Sequence, residues 1–132
     1  MTASPNSGRR PPAPGTLPRG GPRLKPPAWP DGEPSATEAA LWRRLWLGPA
    51  ASLWRAQRTD PSVIAAYCRL YDIFMTDPKP ATATALARLA DGLGLTPSGL
   101  ARLRLRVEPD EALASDEEPE FIRNYRAAQA DR

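Results

Sequence analysis

Ten of the chain's 17 prolines fall within its first 34 residues. A segment with so many fixed φ angles and missing N–H donors builds neither a helix interior nor a central strand. The foldable part of this 132-residue chain is therefore confined to its middle, enough for one small domain with long flanks. No apolar run approaches the roughly 18 residues of a membrane span, and the N-terminus lacks the apolar segment of a signal peptide. The expectation is a soluble protein inside a cell, with no membrane partner. The chain has no His and a single Cys, Cys68. It cannot assemble a zinc-finger ligand set, a Ser-His-Asp or Cys-His site, or an internal disulfide. With no Walker-type phosphate loop and no clustered metal-binding carboxylates in its middle either, it is expected to be a non-enzyme that needs no cofactor or metal.

Charge is laid out in blocks. The net +3 resolves into +5 over residues 1–30, +3 over 31–107 and −5 over 108–132. Arg9, Arg10, Arg19, Arg23 and Lys25 sit among Pro and Gly with no acid nearby. Residues 1–34 are thus expected to be a disordered basic tail, either a DNA-scanning arm or a solubilising leader. Residues 108–132 form an acidic C-terminal segment, with seven acids between Glu108 and Glu120. Such a density opposes burial and is repelled by phosphates.

Between the flanks, residues 35–107 read as a small all-α domain of about five helices. Ser35 and Glu38 have the spacing of a capping box, and Leu41, Trp42, Leu45 and Trp46 then form one stripe. Gly48-Pro49 ends that helix and opens a short second one carrying Leu53 and Trp54. Asp60-Pro61 starts a third, whose apolar positions from Val63 to Met75 keep the helical period until Asp77-Pro78. A fourth is expected over about Thr82 to Asp91 and a fifth over about Pro97 to Val107. Leu and Arg alternate over Leu103 to Val107 as in a half-buried strand, but Thr96-Pro97 is a strong helix start and favours the helix.

The fourth and fifth helices have the order of a helix-turn-helix. Leu89 and Leu93 face the second helix, Ala90 is small at the crossing, and Gly94 permits the turn, while Leu95, Leu100 and Leu103 anchor the second helix beneath the first. Continued to Val107, the fifth helix would project Arg102 and Arg106 as a pair away from Leu100, Leu103 and Val107. With Arg104, and with Ser98 in the first turn, these are the candidate DNA contacts, beside the five tail cations. A helical hairpin with a solvated Arg face is the plain alternative. Leu105 fits neither face and is a candidate subunit contact. Trp42, Trp46 and Trp54 are candidates for the same interface, against the simpler reading that they pack a core poor in other large side chains.

The block Gly94-Leu95-Thr96-Pro97 followed by Arg102-Leu103-Arg104 resembles the signature of the phage terminase small subunits. The Trp42 to Trp46 segment, the Pro49 to Trp54 segment and the helix from Asp60 to Asp77-Pro78 occur in that family's order, so the resemblance covers about Trp29 to Glu108. The chain departs from the pattern at Leu100 and Ala101, where further Arg is usual, and at Leu105, where Trp is frequent. The resemblance implies a DNA-packaging factor in the host cell cytoplasm. It would be a homo-oligomeric ring that binds double-stranded viral DNA and regulates a large subunit holding the ATPase and nuclease.

Phe121, Ile122 and Tyr125, beyond Pro119, make a short apolar stripe expected to dock that large subunit. A helix-turn-helix transcription regulator and a protein-only adaptor are the competing functions. A regulator would bind as a dimer, and an adaptor would show no salt-dependent DNA binding.

Overall fold

The computed structural model describes residues 15–110 and 120–130. Among them are six helices and one two-stranded parallel pairing. The order is β1 (Thr16–Leu17), α1 (Ala36–Trp46), α2 (Ala50–Ala56), α3 (Pro61–Thr76), α4 (Pro80–Gly92), α5 (Pro97–Arg102), β2 (Arg106–Val107) and α6 (Glu120–Ala130). The expected all-α character of the middle holds, α1, α3 and α5 start where their capping residues place them, and α4 begins at Pro80, two residues before the expected Thr82. Ser35 and Glu38 close a reciprocal capping box on α1, and the Asp60 side chain accepts the Ser62 N–H at the start of α3.

Helix α1 packs on α3, α3 on α4, and α4 on α5. A run of indole rings passes through the core between them, with Leu41, Ile64 and Leu93 packed around it. Trp29, Trp42, Trp46 and Trp54 meet in series, edge-on or tilted, with centroids 5.0, 5.5 and 5.1 Å apart. Ile64, Ala65 and Cys68 on α3 close the cluster from the other side. Trp42, Trp46 and Trp54 are 6, 2 and 1% exposed. Those three indoles are consumed inside the protomer, which removes them as a subunit interface. The physical reason is volume: helices of seven to sixteen residues leave a core that few large side chains must fill. Burial also pushes the Cys68 thiol up to about 12, with the charge of Glu38 adding to the effect.

Two expectations at the ends of the domain need correction. Residues 15–34, read as the end of a disordered tail, lie on the body. Leu17 is buried, the Trp42 indole donates to the Pro27 carbonyl at 2.9 Å, and the Arg55 guanidinium donates to the Lys25 carbonyl at 2.8 Å. Gly21, at φ +72°, lies so close to the Leu47 and Gly48 carbonyls that a Cβ would collide with both. Prolines suit this stretch, which beyond β1 is neither helix nor strand, because their fixed φ lowers the entropy lost when it docks on the body.

The second correction concerns α5, which ends at Arg102 instead of continuing to Val107. Arg104 turns left-handed at φ +58°, its N–H reaches the Ala101 carbonyl, and the Leu105 N–H reaches the Leu100 carbonyl. This is a Schellman closure with Arg in the place glycine usually takes. The released chain pairs in parallel with β1, Thr16 opposite Arg106 and Leu17 opposite Val107. The alternating Leu and Arg residues thus marked a strand in part.

One carboxylate couples the body to pH. Glu38 is 6% exposed, yet its carboxyl is held below the usual range, first by the Ser35 backbone N–H and further by Arg69 and the Ser35 hydroxyl, against the opposing effect of burial. A carboxylate more acidic when folded contributes stability above its unfolded pKa of about 4.3 and loses it as pH falls through the folded value. Thermal midpoints should therefore drop as pH falls below the unfolded carboxylate range, and Glu38→Gln should flatten that decline. An unchanged profile for Glu38→Gln would show that Glu38 does not set it.

Candidate nucleic-acid interface

The hairpin of α4 and α5 is fastened by two devices that neighbouring residues in the sequence supply. At the turn, Gly94 adopts φ +76°, its N–H bonds the Asp91 carbonyl, and the Leu95 N–H bonds the Ala90 carbonyl, again a Schellman closure. Past the turn, the Thr96 side chain caps α5 by accepting the Gly99 N–H at 3.0 Å. The Thr96 hydroxyl donates to the Asp91 carboxylate, and the Ser98 hydroxyl donates to the same oxygen at 3.1 Å. These bonds, with the nearby Arg102 charge, hold the Asp91 carboxyl below its ordinary range. Ser98, expected to contact DNA, is instead a latch between the helices.

Gly99 is what lets the two helices close. A Cβ there would stand 2.3 Å from the Asp91 carbonyl oxygen and 2.8 Å from its Cα. Both neighbours are backbone, so the helices would have to part. Gly99→Ala should destabilise the domain by about 1–3 kcal/mol, the range of overpacked cores. Gly92→Ala is the control, since nothing lies within 4 Å of a Cβ at that position, and a helix-end alanine there should be tolerated. Equal midpoints for the two variants would show that the close crossing is not needed.

The strand pairing then decides where the cations go. Arg102, Arg104 and Arg106 are all exposed. Arg106 is on β2, and its Nε donates to the Thr16 hydroxyl across the pairing at 3.1 Å. Arg19 follows β1 and donates through Nε to the Glu108 carbonyl at 2.8 Å. Each bond fixes a guanidinium through its inner nitrogen and leaves the two terminal amino groups for a ligand. Arg19 and Arg106 thus lie along the paired strands, and the exposed Arg104 directly precedes β2, with its backbone carbonyl facing Gly15. The paired projection of Arg102 and Arg106 from one helix is replaced by this edge, because the helix stops between them.

The remaining cations are not gathered there. Arg23 and Lys25 are exposed on the stretch leading to α1, where the Lys25 carbonyl meets Arg55 of α2. Arg9 and Arg10 lie outside the described residues, as do Glu111, Asp116, Glu117 and Glu118. Leu105 is half-buried, directly after the left-handed Arg104, so it is not the outward helical residue expected. Phe121 and Tyr125 on α6 are 72 and 66% exposed, with Ile122 half-buried beside them.

Sequence reasoning missed Thr16, Arg19's placement on the edge, and Asp91 as the organiser of the turn. The alternation over Leu103 to Val107 was the available signal for the first two. An acid four residues before a Leu-Thr-Pro start was the signal for the third. No family model, curated protein or solved structure matches this chain.

Proposed function

We propose that this chain is the small subunit of a phage DNA-packaging terminase, acting in the host cytoplasm as a homo-oligomeric ring on double-stranded viral DNA. In this reading it carries out no catalysis. ATP hydrolysis and DNA cleavage belong to a large subunit that the acidic C-terminal segment recruits. The single observation that carries the DNA-binding part is the edge that β1 and β2 create, with Arg19, Arg104 and Arg106 exposed together beside the hairpin and Arg102 at its end. Guanidiniums anchored through one nitrogen keep a forked pair of donors for phosphate oxygens at low entropic cost. The resemblance of the Gly-Leu-Thr-Pro and Arg-Leu-Arg blocks supplies the packaging context.

The same geometry weighs against a transcription regulator that reads bases with its second helix. Helix α5 has six residues, about 9 Å of helix, and its N-terminal turn holds Ser98 on an aspartate carboxylate that phosphates would repel. A basic edge of this kind tracks the backbone and positions the duplex without reading it.

Light scattering of the full chain with and without phage DNA tests the proposal. A mass of many 14.4 kDa subunits and a DNA affinity that falls steeply with salt are expected. A dimer with sequence-selective binding would assign the regulator instead. A body that binds no DNA at low salt would leave the adaptor.

A further inference from the structure

An apolar groove of about 340 Å³ opens where the end of α1 and the α1–α2 turn face the Gly94 to Pro97 turn and β2. Leu45, Pro49, Leu95, Leu100 and Val107 line it, and the exposed Arg44 is its cation. The Gly-Leu-Thr-Pro block therefore faces a groove as well as shaping a turn. Elsewhere α6 carries the complementary surface. Phe121, Tyr125 and Ala128 recur at i, i+4 and i+7 with Ile122 alongside, and the described helix has no buried residue. An amphipathic helix with an aromatic anchor is the usual occupant of such a groove.

We propose that the apolar face of α6 from one copy of this chain seats in the groove of a neighbouring copy. Charge favours this arrangement. Glu120 occupies the first turn of α6, while the exposed Arg44 lines the groove. Reach allows it as well. Twelve residues separate Val107, on the groove, from Glu120, and a segment of that length reaches about 40 Å at full stretch, more than the roughly 30 Å diameter of a small domain. The two surfaces are different patches of one chain, so the contact is head-to-tail and generates a ring when its rotation closes. The inference deepens the packaging reading, from which it takes that closure. It also moves the subunit contact from the buried tryptophans and Leu105 to the groove, and leaves the acids before α6 to the large subunit.

The test uses full-length chains. One tagged population carries Pro97→Cys at the groove wall and the other, untagged, carries Phe121→Cys. Native Cys68 is buried with its thiol pKa raised, so it stays out of the exchange. Mild oxidation of the mixture should give a disulfide between a tagged and an untagged chain. In a second arm, Phe121→Glu with Tyr125→Glu should lower the native mass toward the 14.4 kDa single chain. Neither residue is buried, so the body stays folded.

A third chain carrying both Pro97→Cys and Phe121→Cys completes the test: a disulfide formed only within that chain, with the mixture left unlinked, would show that α6 fills its own groove and would overturn the proposal. So would an unlinked, unchanged oligomer whose α6 variants instead fail to capture the large subunit. DNA titration of the same samples separates this inference from the functional reading. Cross-linking between chains without DNA binding refutes the packaging role alone, whereas DNA binding by an assembly without that cross-link refutes the groove contact alone.

Discussion

Trp54→Ala should lower the unfolding free energy of the domain by about 3–5 kcal/mol, the range for removing a buried Trp or Phe. For a body of this size that corresponds to a fall of more than ~12 °C in thermal midpoint. Trp54 is 1% exposed, and its ring meets Trp46 edge-on at 5.1 Å. Its indole N–H donates to the Leu93 carbonyl at 2.9 Å. That carbonyl belongs to the cap residue of α4, whose oxygen has no partner within its own helix.

The substitution therefore leaves a cavity and an unsatisfied buried carbonyl together, at the point where α2 supports the hairpin. Trp54→Phe separates the two effects. It keeps most of the volume and loses the hydrogen bond, and should cost about 1–3 kcal/mol for the carbonyl left unpaired. Denaturant midpoints of the three proteins check this. An alanine variant within about 1 kcal/mol of the parent would mean that α2 is not the support of the turn.

How much of this was legible depended on whether the controlling contact was local. The starts of α1, α3 and α5 were readable because Ser35, Asp60 and Thr96 cap them through neighbours two or three residues away. The end of α5 was not. A Schellman closure is announced by glycine, and here Arg104 takes the left-handed place, as Arg58 does beyond α2. What compensates Arg104 is the pairing with residues some 90 positions earlier, a tertiary override that no local pattern encodes. The same long-range pairing draws Leu17 and Arg19 out of a segment whose composition alone reads as tail. Gly99 illustrates a different loss. It reads as a weak helix position, yet its value is the absence of a Cβ beside Asp91, visible only when the helices are placed. The candidate cations were found by type, and their grouping into one edge was decided by where the helix stops.

Neutralising Arg102, Arg104 and Arg106 to Gln should flatten the logarithmic dependence of DNA affinity on salt by about 2 to 3 units, at nearly one unit for each phosphate that no longer has a guanidinium partner. Between 50 and 200 mM salt, three such phosphates shrink the fall in affinity by about 40-fold. The edge geometry adds a fourth member. Arg19 is joined to Glu108 at the end of the same pairing, so Arg19→Gln should remove about one more unit even though it stands 83 residues before Arg102 in the chain. Arg23 and Lys25, set toward α2, should contribute less than Arg19.

Deletion of residues 1–14 removes Arg9 and Arg10, and should weaken binding to every sequence about equally if that arm scans without reading bases. Fluorescence titrations across a salt series, on phage and unrelated DNA, measure all of these together. An unchanged slope in the Arg19, Arg102, Arg104, Arg106 variant would remove the paired-strand edge from the DNA contact. A larger effect of Arg23 and Lys25 than of Arg19 would instead place the duplex on the α2 side of the body.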